Sequence, residues 1–100
     1  MIISINGTLT EETQAVVSVY DHGFLYGIGL FETFRTYNGK PFLLAEHLRR
    51  LTDGCQELGI AFEPNLERLS TQIEQLIQAN NLEDAYIRYS VSAGVEALGL

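Results

Sequence analysis

The chain predicts an α+β fold, a small antiparallel sheet with two helices packed on one face. Three observations carry that expectation. Asn-Gly occurs at Asn6-Gly7 and at Asn38-Gly39, each time between strand-like runs, and this dipeptide favours the type I′ turn that joins antiparallel strands. Two stretches in the second half carry apolar residues at the spacing of amphipathic helices. A last run, Ala85 to Ser92, returns to the alternation that marks a strand.

Taken in order, Ile2-Ile3-Ser4-Ile5 and the residues after Gly7 form the first hairpin. Asp21-His22-Gly23-Phe24-Leu25-Tyr26-Gly27-Ile28-Gly29 then reads as a loop, whose glycines let the backbone approach another group closely. In the second hairpin, alternation puts Phe31, Thr33, Arg35 and Tyr37 on one face and Glu32, Phe34 and Thr36 on the other. Both faces mix apolar and polar groups, so this strand is not wholly inside a core. Leu44, Leu48, Leu51, Cys55 and Leu58 mark one helix, with Gly59 as its stop. Pro64 opens a second, with Leu66, Leu69, Ile73, Leu76 and Ile77 on its apolar face and Asn80-Asn81 at its exit. Ile87, Tyr89 and Val91 point one way along the closing strand. After it, Ala93 to Leu100 runs on without a closing element, so the chain reads as the front part of something longer.

Composition narrows the function. One hundred residues, 46% apolar and 19% charged, suit one packed domain spanning 1–100 and leave no room for a second. A net charge of -7 repels phosphate backbones, which speaks against nucleic acid. No basic-then-apolar leader begins the chain, and no apolar run approaches the ~20 residues that cross a bilayer. No membrane partner and a cytoplasmic location are the expectation. Cys55 stands alone and fits core packing. With His22 and His47 the only histidines and no Cys/His cluster, no metal site is expected.

A helical wheel puts His47, Arg50 and Gly54 along one edge of the apolar stripe, while Arg49 points further toward solvent. Arg50 offers a planar fork of donors suited to phosphate, and Gly54, one turn on, is expected to leave room for a ligand. His47 reads as a boundary residue hydrogen-bonded to a neighbouring strand. Lys40 is the single lysine. It follows the Asn-Gly turn, where neither desolvation nor a cationic neighbour would make its amine nucleophilic, so no catalytic residue is expected within the chain. Motifs for serine hydrolases, P-loops and Rossmann dinucleotide sites are missing.

The run from Asp21 to Leu51, DHGFLYGIGLFETFRTYNGKPFLLAEHLRRL, resembles the signature region of class IV, or fold-type IV, aminotransferases. It matches a D-[RH]-G turn, Y-G-x-G-x-F-E, a hairpin, and H-x-x-R-L on a helix. The resemblance continues more loosely to the VSAG segment and so covers the family's small N-terminal domain. It implies pyridoxal 5′-phosphate as cofactor, a small amino substrate and a homodimer. It also implies that the Schiff-base lysine and most phosphate donors lie in a larger C-terminal domain absent from these residues. The arginine of H-x-x-R-L contacts the cofactor phosphate in the family, which carries over onto Arg50. Phe31 and Thr33 would border the substrate pocket, with Tyr26 and Gly27 beside it.

Within the family, F-E-T-F-R together with DHGFLYGIG looks most like the 4-amino-4-deoxychorismate lyases, which release pyruvate and leave 4-aminobenzoate for folate synthesis. D-amino acid transaminases usually have Tyr at the position of Phe31 and an Arg-x-His carboxylate trap where this chain has Leu98-Gly99-Leu100. Branched-chain aminotransferases usually read F-E-G-I-R. The expectation is therefore an aromatic wall at Phe31 with no charged partner pre-placed for a small amino acid's carboxylate. The alternatives are a D-amino acid or branched-chain aminotransferase of the same class, or a non-catalytic, free-standing small domain.

Overall fold

The structure, a computed structural model, describes residues 1–95. Strand β1 (Ile2–Ile5) pairs antiparallel with β2 (Thr8–Glu11), Ile5 opposite Thr8. Asn6 and Gly7 between them take φ of 51° and 82°, and Asn38 and Gly39 take 53° and 75°, the positive pairs that a type I′ turn requires. A 3-10 turn (Glu12–Gln14) and an exposed connector lead to α1 (His22–Tyr26). Then come β3 (Gly29–Tyr37), β4 (Lys40–Pro41), α2 (Leu44–Leu58), α3 (Leu66–Ala79) and β5 (Tyr86–Ser92).

The strands form two sheets where one was expected. β1 and β2 stand alone, and the second sheet has the order β4-β3-β5 with every pairing antiparallel. The reason lies at Asn80, just beyond α3. Its side-chain amide accepts from the Ile2 N–H at 2.7 Å and donates to the Ile2 carbonyl at 2.9 Å. A helix-end side chain thus takes backbone groups that a neighbouring strand would otherwise pair, and the first hairpin docks on α3.

α2 and α3 cover the face of the β3–β5 sheet that carries Phe34 and Ile87. Leu44, Leu48, Leu69, Ile73 and Ile77 bury against those two residues, each worth roughly 1.5–3 kcal/mol when fully withdrawn from water. Leu58 and Leu66, at the ends of the predicted apolar stripes, are exposed instead. α3 starts at Leu66, with the Asn65 side chain accepting from Arg68 N–H at 2.8 Å, so Pro64 precedes the helix and does not open it. α2 ends where expected, on Gly59 at φ 75°.

α1 falls inside the predicted loop. Asp21 caps it, its carboxylate accepting from Gly23 N–H at 2.7 Å, and Gly27 closes it at φ 68°. Five residues are too few to display a helical period.

Gly54 serves a purpose other than the predicted one. A Cβ there would lie 2.5 Å from Leu30 Cδ1, so the missing side chain admits a strand leucine and not a ligand. α2 thereby closes onto β3, which brings His47 and Arg50 within reach of Glu32. Among the described residues, no helix is long and apolar enough to cross a membrane, and no group of three or more His, Cys, Asp or Glu is placed to hold a metal.

Candidate functional site

The sequence-predicted residues separate into three places. Arg50 sits on α2, which packs on the helix-covered side of the sheet. Phe31 and Thr33 lie on the opposite, open face of β3. Tyr26 and Gly27 end α1, where Tyr26 is exposed and meets the His22 ring edge-on at 5.3 Å. No hydrogen bond or ring contact among the described residues links Tyr26 or Gly27 to Phe31 or Thr33.

Around Arg50 the geometry is specific. Its Nη2 lies 2.8 Å from one Glu32 oxygen and 3.1 Å from the other. His47 Nδ1 approaches the same carboxylate at 2.7 Å. Burial pushes the Glu32 carboxyl upward, but the hydrogen bonds from His47 and Arg50 outweigh it and hold the group below the usual carboxylate range. An ionised carboxylate only accepts, so Nδ1 of His47 carries the proton. The His47 ring stacks on Phe34 at 5.2 Å, which ties the cluster to the core. Glu32 was not singled out in the sequence. A strand residue gives no local sign of partners that lie 15 and 18 positions further along.

The open face of the sheet holds more charge than the sequence suggested. β3 and β5 pair with Thr33 opposite Arg88 and Arg35 opposite Tyr86. The Arg88 guanidinium lies 3.8 Å from the centre of the Phe31 ring, and Arg35 lies 4.6 Å from Tyr37 and 5.3 Å from Tyr86. Two arginines therefore stand on the Phe31 face, Arg35, which alternation along β3 already puts there, and Arg88, which cross-strand register brings opposite Thr33, so the expected aromatic wall has guanidinium groups beside it. Alternation along β5 held the signal: Ile87, Tyr89 and Val91 face inward, so Tyr86 and Arg88 must face out. Leu98-Gly99-Leu100, where a carboxylate trap was sought, lie outside the described residues.

A pyridoxal phosphate molecule asks two things of a protein, donors for its phosphate and a lysine for its aldehyde. The first is met. Arg50 is 69% exposed at its side chain, and Glu32 takes one of its nitrogens, which leaves donors over for an anion. The second is not met, because Lys40 is exposed beside its turn. The residues present fit the phosphate end of the cofactor and not the aldehyde end.

Comparison with known proteins gives the family. The family described as Amino-transferase class IV matches residues 29–99. The chain is 42% identical over 100 residues to the aminodeoxychorismate lyase of Bacillus subtilis (strain 168), covering 98% of this chain and 34% of that protein. It is 45% identical over 100 residues to a protein of Methanocaldococcus jannaschii assigned to the branched-chain-amino-acid aminotransferases, covering all of this chain and 35% of that one. The T.th. branched-chain amino acid aminotransferase, solved with pyridoxamine 5′-phosphate, superposes with a TM-score of 0.82 at 30% identity, over 98% of this chain and 34% of that chain. The chain thus spans about a third of the length of the relatives it matches. With most of its residues inside the family match and its fold shared with a solved member, the chain belongs to the amino-transferase class IV family.

Proposed function

We propose that the chain is the N-terminal part of a pyridoxal-phosphate-dependent lyase that releases pyruvate from 4-amino-4-deoxychorismate and yields 4-aminobenzoate for folate synthesis. The observation that carries this reading is the open face where Arg88 lies over Phe31 at 3.8 Å. An aromatic ring beside fixed guanidinium groups suits a ring substrate bearing carboxylates. The similarity to the Bacillus subtilis lyase supports it.

Bound pyridoxal phosphate supplies the electron sink for the bond rearrangement, and the protein supplies binding and orientation. Arg50 holds the phosphate through its free donors. Phe31 and Thr33 border the substrate, with Tyr26 and Gly27 at the rim of the pocket. Arg88 and Arg35 hold substrate carboxylates, and the rings of Phe31, Tyr37 and Tyr86 fix the two guanidinium groups in place. The reactive lysine comes from the remaining two thirds that the relatives possess. The working unit in this reading is a cytoplasmic homodimer.

A second reading, transamination of branched-chain amino acids, is favoured by the 45% identity to the Methanocaldococcus jannaschii protein. One assay separates the two. The full-length protein should show a higher kcat/KM for pyruvate release from 4-amino-4-deoxychorismate than for transamination of leucine or D-alanine. The reverse order overturns the lyase reading and leaves the family standing.

A further inference from the structure

An exposed ion pair on a helix usually contributes little, because water screens it and both side chains lose freedom. Glu32 and Arg50 depart from that pattern in one respect: only one partner is exposed. The Glu32 side chain is 12% exposed and the Arg50 side chain 69%. The carboxylate is fixed from within, by His47 Nδ1 at 2.7 Å, and the His47 ring is in turn stacked on buried Phe34. A chain of contacts therefore runs from the core through Phe34, His47 and Glu32 to a guanidinium at the surface.

We infer that Glu32 is a positioning residue, which fixes the Arg50 guanidinium so that its remaining donors meet an anion in one orientation. The inference rests on the reading of Arg50 as the phosphate ligand. Without Glu32 the long Arg50 side chain would sample many rotamers, and each productive contact with phosphate would cost that freedom again. The carboxylate also carries a negative charge that opposes a phosphate. Here the guanidinium and the imidazole N–H both sit on that charge, and the carboxylate is largely withdrawn from water. Orientation therefore outweighs repulsion, and removing the charge weakens anion binding.

A double-mutant cycle on the full-length apoprotein tests this, with pyridoxal phosphate affinity read by spectroscopic titration and folding checked by thermal unfolding. Glu32→Gln should weaken binding about tenfold in the parent protein yet change it less than about twofold in an Arg50→Ala background, because the residue acts through Arg50. Glu32→Asp should retain part of the affinity, and if Glu32→Gln does not fold, Glu32→Asp completes the same cycle. Equal losses in both backgrounds would make Glu32 merely structural, and tighter binding by Glu32→Gln would show that repulsion dominates. Either result overturns the inference. An Arg50→Ala protein with unchanged affinity would instead remove the phosphate reading of Arg50, and this inference with it. A weakened Arg50→Ala protein beside an unaffected Glu32→Gln protein would sink the role of Glu32 alone.

Discussion

Arg49 and Arg50 are adjacent in sequence and differ in surroundings. Arg49 borders an open groove with Leu48, Phe62 and Pro64, while Arg50 is held by Glu32. In the full-length protein Arg50→Ala should weaken pyridoxal phosphate binding by roughly 1.5–3 kcal/mol, the scale of a hydrogen bond to a charged group. Arg49→Ala should cost much less, and equal losses in a cofactor titration would sink the distinction. A second residue-scale prediction concerns acid. Gly39 N–H and the Thr36 hydroxyl, each 2.9 Å from Asp84, hold its carboxyl below the usual range, and Glu32 is held low as well. A depressed folded pKa stabilises above the unfolded value, about 4 for these groups, and that contribution fades as pH falls through the lower folded value. The melting temperature should drop on acidification below about pH 4. Asp84→Asn, which keeps the acceptor oxygen but does not titrate, should flatten part of that limb. At this scale the helix wheel set Arg50 apart from Arg49, and His47 was read correctly as bonded to a strand. The partner of both, Glu32, was out of sight because pairing across a strand–helix contact leaves no mark on spacing.

At the scale of elements, Gly54 is where the helix and strand fit together. Gly54→Ala gains about 1 kcal/mol of helix propensity but drives a Cβ to within 2.5 Å of Leu30 Cδ1, and overpacking costs about 1–3 kcal/mol. The net effect should be destabilising. In a Leu30→Ala background, where the space is vacant, the same change should stabilise, so denaturant melts of the four proteins should show a reversal of sign. Destabilisation of similar size in both backgrounds would mean that the glycine serves something other than Leu30. Gly54 was misread from sequence for a physical reason: a small residue on a helix face shows that something comes close, and not what. α2, α3, β3 and β5 were legible because each is long enough to repeat its period. α1 was not, since its evidence is a cap at each end with five residues between.

For the whole molecule, the α+β class and the two helices on one face followed from patterning, whereas the division into two sheets did not. That division turns on Asn80 bonding Ile2 across 78 positions, and no local pattern encodes such a contact. The molecule is also unevenly finished. One face of the β3–β5 sheet is covered by helices, while Phe31, Tyr37 and Tyr86 on the other face, and Val16, Val17, Val19 and Tyr20 in the connector, are more than half exposed. So much apolar surface is unusual for a domain working alone, and it agrees with relatives about three times as long. The surroundings of Lys40 bear on catalysis. Lys40 borders an open groove with Glu74, Glu83 and Asp84, whereas a lysine that attacks an aldehyde is placed in apolar surroundings or beside another cation. Residues 1–100 expressed alone should therefore form no saturable covalent link to pyridoxal phosphate and show neither pyruvate release nor transamination. The check is incubation with the cofactor, borohydride reduction and mass measurement, with Lys40→Ala as control. A stoichiometric adduct that Lys40→Ala abolishes would make Lys40 an attachment site and refute the argument from its surroundings. An adduct that survives the substitution would place the reactive amine at the N-terminus, where Met1 is 3.2 Å from Glu12.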